Sequence, residues 1–239
     1  MSNVKNVEAF GKLTGICTGY GGSYKPGQLN LQVSAMATLL NQARQAITDV
    51  HTAETTFDNA TNVRAQKFRD MQRLCPRIIN ALKANGANAL TVQDAQASVR
   101  EMRSPKLSVV QPAATDGAAV PAARKRTARG LDYVSLADHF AKLVNTVSSE
   151  PSYLPNEVEL KVTSLNTMLT GLRSQNDAVN QATISLNNSR KNRSTVLYSK
   201  AYNIVATAKA VKQYVRSAYG LRSAQSTEVG RIRFTKPMN

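Results

Sequence analysis

The feature that most constrains this fold is a repeat within the chain. Residues 23–33 read SYKPGQLNLQV and residues 152–162 read SYLPNEVELKV, so both segments contain Ser-Tyr-x-Pro followed by Leu-x-Val. Continuing both segments without a gap gives about a dozen identities over roughly forty positions, where chance gives two or three. The later identities pair Thr38 with Thr167, Leu40 with Leu169, Arg44 with Arg173, Val50 with Val179, Ala53 with Ala182, Asn59 with Asn188 and Arg64 with Arg193. A duplicated chain predicts a functional site that occurs in both copies or lies where they meet.

Both copies carry apolar residues at the spacing of one helical face. In the first copy these residues are Val33, Met36, Leu40, Ala43, Ile47, Val50 and Phe57. In the second copy they are Val162, Leu165, Leu169, Leu172, Val179 and Leu186. The chain is 42% hydrophobic but only 5% aromatic and contains no Trp, which suits long helices with narrow apolar seams better than a sheet. We therefore predict a long helix of about thirty residues in each copy.

A second long helix is predicted in the first copy. Its apolar positions run from Phe68 to Leu82, and Asn85-Gly86 provides a stop. Pro76 falls inside this stretch and is expected to kink the helix or to begin a new segment. The two long helices of the copy would then form an antiparallel hairpin.

The second copy is predicted to form an equivalent hairpin. Residues 156–159 read as a capping box that starts its first long helix. The apolar spacing of residues 197–215 predicts the second helix, which stops at residues 219–220. Residues 228–234 alternate between polar and apolar side chains, as a short strand or an extended tail does.

These patterns predict an all-α fold of two homologous helical-hairpin repeats, residues 1–103 and residues 131–239. A Pro- and Ala-rich basic linker, residues 104–130, joins them. Shorter helices at residues 4–16 and 133–147 open the copies, and each Ser-Tyr-x-Pro element is expected to form a tight turn with its Tyr ring packed on a helix end. A single four-helix-bundle-like domain is favoured over two hairpins set end to end.

The net charge is the second informative property of the sequence. The chain has 31 Lys and Arg residues against 15 Asp and Glu residues, which gives a formal charge of +16. Clustered positive charge attracts polyanions and releases counterions from nucleic acid. The alternative is that the basic residues only keep long helices soluble. The charge therefore favours a nucleic acid or another acidic partner.

Basic residues at helical spacing and in the linker are the candidate binding site. The pairs Arg44/Arg173 and Arg64/Arg193 occur at matching positions of the two copies. The full set of candidates is Arg44, Arg64, Lys67, Arg124, Lys125, Arg126, Arg129, Arg173, Arg190, Lys191, Arg193, Lys209, Lys212 and Arg216. No motif for reading bases accompanies them, so we expect contacts with phosphate that are sensitive to salt and independent of sequence.

The residues that usually carry catalysis or bind metals are few. His51 and His139 have no partner at metal-ligand spacing, and neither is present in the other copy. Cys17 and Cys75 lie outside any CxxC motif and are expected to be buried, reduced thiols. The glycine-rich residues 14–23 lack the Gly-Lys-Ser/Thr of a phosphate-binding loop. We expect a protein that is not an enzyme and has no cofactor or metal site.

The same inventory bears on cellular location. No segment has the apolar length of a signal peptide or of a membrane span. Reduced cysteines are typical of proteins inside the cell. The sequence therefore predicts a cytoplasmic protein with no membrane partner.

Four stretches of the chain resemble a family of internally duplicated, all-helical proteins of Bacteroidota to which no activity is assigned. They are GICTGYGGSYKPGQLNLQV, RIINALKANGANALTVQDAQASVREMR, EPSYLPNEVELKVTSLNTML and VKQYVRSAYGLRSAQSTEVGRIRFTKP. The resemblance covers nearly the whole chain outside the linker. It implies an all-helical cytoplasmic protein of a bacterium or of one of its phages, and it supplies no site residues.

Two functions remain open from the sequence. The first is non-enzymatic binding of a polyanion, most plausibly DNA, RNA or a ribonucleoprotein, through the Lys and Arg stripes. The alternative is a structural or scaffold protein of a helical assembly, which would form a homo-oligomer or join a phage or bacterial complex without any role for nucleic acid.

Overall fold

The computed structural model of the protein describes residues 2–103, 132–199 and 201–235. The all-α prediction is confirmed, because within these ranges the regular structure is helical throughout and the helices pack as in a bundle. The α-helices are α1 (Ser2–Gly19), α2 (Val33–Ala84), α3 (Ala89–Arg103), α4 (Tyr133–Ser148), α5 (Val162–Ser194), α6 (Ile204–Tyr219) and α7 (Ala224–Gly230). The predicted linker, residues 104–130, lies outside the described residues.

The first copy does not contain the predicted hairpin, because α2 continues without a turn for 52 residues. Its polar middle contains neither Gly nor Pro, so nothing there ends the helix. Pro76 does not end it either. Pro76 removes a hydrogen bond to the carbonyl of Gln72, and both residues are exposed, so water can satisfy that carbonyl. The helix stops where predicted, with Gly86 at a φ of +72°.

In the second copy the long helix does end near the turn that the sequence predicts. A five-residue π-helix, Thr195–Ser199, follows α5, and α6 begins after the cap residue Asn203. The Asn203 side chain accepts a hydrogen bond of 2.8 Å from the backbone N–H of Ala206. The residue aligned with Asn203 in the first copy is Leu74, which cannot cap a helix. The cap at Asn203 favours the start of a new helix in the second copy, and the first copy offers no such cap at Leu74.

The Ser-Tyr-x-Pro elements form matching turns, as the sequence predicts. The buried hydroxyl of Tyr24 donates a 2.9 Å hydrogen bond to the carbonyl of Leu31, and Tyr153 does the same to Leu160. Each acceptor ends a short 3-10 turn, Leu29–Leu31 or Val158–Leu160. The capping box predicted at residues 156–159 is therefore wrong, because that segment forms the 3-10 turn and α5 begins only at Val162.

The chain forms two compact units, and each unit combines parts of both copies. The first unit comprises Met1–Asp58 and Gln181–Asn239, and the second comprises Asn59–Asn180. The compact units thus do not coincide with the two sequence repeats. The predicted repeat boundaries describe the duplication of the sequence, whereas packing follows a different division.

Each unit has its own apolar core. In the first unit α1, the start of α2, α6 and α7 bury a cluster that includes Phe10, Leu13 and Val215. In the second unit the rest of α2 packs with α3, α4 and the start of α5 around Phe140 and Leu143. Phe10 and Phe140 are completely buried and occupy matching positions of the two opening helices.

The matching tyrosine hydrogen bonds give a test of the fold. We expect Tyr24→Phe and Tyr153→Phe each to lower the free energy of unfolding by about 1–3 kcal/mol, because the carbonyls of Leu31 and Leu160 lose a buried donor. Denaturant-induced unfolding followed by circular dichroism measures the change. The control Tyr202→Phe, at a residue that is 58% exposed, should change stability by less than about 0.5 kcal/mol. Equal effects at all three positions would contradict the turn described here.

Candidate polyanion-binding surface

The positive charge is distributed unevenly between the two compact units. Residues 181–239 hold 11 Lys and Arg residues but a single acidic residue, Glu228, whereas residues 1–58 hold four of each sign. The first unit therefore has a net charge of +10. The second unit has 16 basic and 10 acidic residues, and the linker accounts for +4 of its net +6. The field that attracts a polyanion is thus strongest in the first unit.

The predicted stripe on α6 contains two kinds of residue. Lys209 and Arg216 are exposed to solvent. Lys212 lies half-buried between them in sequence, and its ammonium donates a hydrogen bond to the carbonyl of Ile232. It also lies over the ring of Phe234, at 5.6 Å from the ring centre. Burial, together with the charge of Arg216, lowers the pKa of Lys212. Lys212 therefore serves the packing of the C-terminal segment, whereas Lys209 and Arg216 face solvent.

The sequence reasoning missed three exposed arginines near the C-terminus: Arg222, Arg231 and Arg233. After α7 the chain alternates, with Ile232 and Phe234 packed on the core of the first unit and the two neighbouring arginines exposed. The alternation of residues 231–234 was visible in the sequence. Which side faces solvent depends on how this segment docks, and the sequence does not show that.

The basic cluster at the end of α5 is partly engaged within the first unit. Arg190 donates a 2.9 Å hydrogen bond to the carboxylate of Glu54 on α2, and this contact lowers the pKa of Glu54. Arg193 is half-buried, while Lys191 and Arg44 are exposed. An exposed ion pair of this kind contributes little to stability. Lys191 is therefore the member of this cluster with a free face, and Arg44, which lies on α2, is exposed as well.

The duplicated arginines do not have matching surroundings. Arg64 stacks on the ring of Tyr133 at 4.2 Å from its centre, a cation–π contact that covers the aromatic ring. Arg173 lies 3.9 Å from the carboxylate of Asp138. Arg44 and Arg193 have neither of these contacts among the described residues. The prediction that matched pairs form a repeated site thus receives no support from their geometry.

The remaining predicted positions divide between the second unit and the linker. Lys67 is exposed on α2. Arg124, Lys125, Arg126 and Arg129 lie outside the described residues. The second unit also has an open depression of about 450 Å³, lined in part by Arg73, Arg77 and Glu159. Arg77 forms an ion pair with Glu159 there, so the two charges of that pair offset each other.

The residues considered for catalysis or metal binding are dispersed. Within the ranges that the structure describes, no group of three or more His, Cys, Asp and Glu residues could hold a metal ion. His139 lies 2.8 Å from the carboxylate of Glu101, and His51 is exposed on α2. Burial raises the pKa of Cys17 to about 11 and that of Cys75 to about 12. Both thiols are therefore protonated at neutral pH and poorly nucleophilic.

The described residues contain no helix that is both long enough and apolar enough to cross a membrane. Comparison of the chain with protein-family models, with curated proteins and with solved structures finds no match. The resemblance to a Bacteroidota family drawn from the sequence accordingly stays a prediction. Function has to be argued from the charges and contacts of the chain itself.

The buried thiols give a second prediction. Cys17 and Cys75 should not react with Ellman's reagent at pH 8 in the folded protein. Both should react in about 6 M guanidinium chloride, which unfolds ordinary domains. Because their folded pKa values are raised, their contribution to stability is complete below about pH 9 and declines as the pH rises from there toward 11. Rapid reaction of either thiol at pH 8 under native conditions would contradict its described burial.

Proposed function

We propose that this protein is a non-enzymatic nucleic-acid-binding protein that contacts the phosphate backbone without reading the base sequence. The contacts would be made by the basic surface of the first unit, which we define as Lys209, Arg216, Arg222, Arg231 and Arg233. All of these side chains are exposed. We further propose that the protein acts in the cytoplasm, where nucleic acid is available.

One observation carries the proposal. Among the described residues, no carboxylate forms an ion pair with any member of the basic surface, whereas Arg77 and Arg173 of the second unit and Arg190 of the first unit each have such a pair. Charge that only keeps a helix soluble is usually interspersed with the opposite sign. Here residues 181–239 hold 11 basic residues and one acidic residue. Charge of a single sign on one part of a protein is typical of sites for polyanions.

The chemistry of the surface determines the kind of binding. Lys and Arg side chains neutralise phosphates and release counterions, which gives an affinity that falls steeply with salt. Direct reading of bases requires an element in a groove with side chains on base edges, and no sequence motif of that kind is present. We therefore propose similar affinities for different sequences of equal length.

A second candidate function is a structural component that associates through apolar contacts. Leu29 is 74% exposed and Val158 is 70% exposed, and they occupy the same position of the two 3-10 turns. Exposed apolar residues at paired positions would suit a homo-oligomer or a helical assembly. An oligomer that persists after nuclease treatment would favour this candidate over nucleic-acid binding.

The proposed function predicts a specific loss on charge removal. We expect the variant K209Q/R216Q/R231Q/R233Q to bind a labelled 20-base-pair DNA more weakly than the wild type, with the log–log salt slope reduced by about 4 because each lost phosphate contact reduces it by about 1. Fluorescence anisotropy over about 50–200 mM salt measures both quantities. DNA and RNA, single-stranded and duplex, should be compared in the same series.

The matched control removes the same number of charges from the second unit. The variant R69Q/R73Q/K83Q/K161Q neutralises four exposed residues there, and it should keep nearly the wild-type slope. An equal loss in both variants would show that net charge alone matters and would reject the basic surface as the site. Absence of wild-type binding at about 50 mM salt would reject the function itself.

A further inference from the structure

The first unit contains a polar cluster that has no counterpart in the other copy. It consists of Asn3 and Asn6 on α1, Tyr198 in the π-helix and Thr235 in the C-terminal segment. The residues aligned with the first three are Tyr133, Leu136 and Arg69. The cluster is therefore specific to the first unit.

Asn6 binds the backbone of Thr235 at both polar groups. The Asn6 amide nitrogen donates to the Thr235 carbonyl at 2.8 Å, and the Thr235 N–H donates to the Asn6 carbonyl oxygen at 2.9 Å. A neighbouring β-strand bonds an extended residue in the same way. The side chain of Asn6 therefore recognises a peptide group rather than a particular side chain.

The hydrogen-bonding capacity of Asn6 is fully used. Its amide nitrogen also donates a hydrogen bond of 3.0 Å to the hydroxyl of Tyr198. Its carbonyl oxygen also accepts a hydrogen bond of 3.2 Å from the hydroxyl of Thr235. Tyr198 in turn donates to Asn3 at 2.7 Å. Asn6 is only 1% exposed, so its hydrogen bonds to the segment are shielded from water and stabilise the docked position.

The π-helix supplies the tyrosine of this cluster. Thr195–Ser199 contains one extra residue per turn compared with an α-helix, which changes the direction of the side chains that follow. Tyr198 lies there and reaches both asparagines of α1. In the first copy α2 stays α-helical at the aligned residues, and Arg69 is the residue aligned with Tyr198.

The docked segment presents arginines to solvent. Besides the Asn6 contacts, the carbonyl of Ile232 accepts a hydrogen bond from Lys212, and Ile232 and Phe234 pack on the core. Arg231 and Arg233 alternate with these two residues and are exposed. The contacts that hold the segment thus fix the backbone from which both guanidinium groups project.

We propose that Asn6 is a positioning residue for polyanion binding: it docks the C-terminal segment and so holds Arg231 and Arg233 on the basic surface. This inference rests on the proposed function. Its physical reason is preorganisation, because a segment that is already ordered loses less conformational entropy when its arginines bind phosphate. Lys212 and Tyr198 support the same docking from α6 and from the π-helix.

The test combines a measurement of docking with one of binding in the full chain. In Asn6→Leu, which installs the residue found at the aligned position 136, the Thr235 amide should exchange its hydrogen at least about tenfold faster, and trypsin should cleave faster after Arg231 and Arg233. Affinity for a 20-base-pair DNA at about 100 mM salt should fall about fivefold. The salt slope should change little, because both arginines are still present.

A double-mutant comparison separates positioning from general stability. R231Q/R233Q should reduce the salt slope by about 2, and adding N6L to that variant should lower the affinity no further. Asn176→Leu is the matched control, since Asn176 is 7% exposed and donates to the Tyr133 carbonyl in the second unit. It should leave both Thr235 exchange and DNA affinity unchanged.

Thr235→Pro is a second variant that tests the same inference if Asn6→Leu fails to fold. Proline removes the N–H from which the Asn6 carbonyl oxygen accepts a hydrogen bond. Because Thr235 is exposed at the end of the described chain, the substitution does not alter the core. Release is read here from trypsin cleavage after Arg231 and Arg233, because proline has no amide hydrogen to exchange, and the same faster cleavage and the same loss of affinity are expected. A released segment with unchanged affinity would overturn the inference, as would an equal effect of N6L with and without the two arginines.

Failure of the proposed function is distinguishable from failure of this inference. If the wild type does not bind DNA or RNA, both proposals fall. The exchange of the Thr235 amide is measured without nucleic acid and still reports whether Asn6 docks the segment. If the wild type binds but N6L leaves Thr235 protected, the proposed function stands and the positioning role is rejected.

Discussion

The apolar stripe of α2, which the polar middle of the helix divides into a start and an end, is the constraint on which the rest of the structure depends. A helix of 52 residues cannot leave these two apolar faces in water, because each buried aliphatic side chain contributes roughly 1.5–3 kcal/mol. The start of the stripe, including the fully buried Met36, is covered with α1 and α6, and the end, including Met71, packs with α3 and α4. Neither part is covered by its own copy alone. The two compact units, and the mixing of copies within each, follow from how this stripe is buried.

The same packing separates basic residues with structural roles from those that remain free. Lys212 bonds a carbonyl of the C-terminal segment, Arg64 covers an aromatic ring, and Arg190 pairs with Glu54. The exposed basic residues without an ion pair in the described part of the first unit include Lys209 and Arg216 on α6 and Arg231 and Arg233 after α7. The net charge alone suggested a polyanion partner, whereas these contacts indicate which side chains would meet it.

Much of the fold was predictable from periodicity, because burial of one helical face leaves a regular pattern. Met36, Ala43 and Val50 of the first copy are buried as that pattern predicts, and so are Leu165 and Leu172 of the second. The turn within the first copy was predicted wrongly, because periodicity does not show where a helix ends: the polar middle of α2 has no Gly or Pro, and Leu74 offers no cap where the second copy has Asn203. Arg231 and Arg233 were missed for a related reason: the orientation of a short segment is set by long-range partners such as Asn6. Local patterns report helices well, and they do not report which distant residues hold an extended segment.

The composition of the two units also has a consequence for synthesis on the ribosome. The second unit is one continuous stretch, Asn59–Asn180, so all of its core residues have been translated before the last quarter of the chain exists. The first unit needs both ends of the chain. Its N-terminal residues, among them Phe10 and Leu13, must wait for α6 and α7 before their apolar surface is covered. The nascent chain thus completes its middle first, and its earliest residues reach their native packing last.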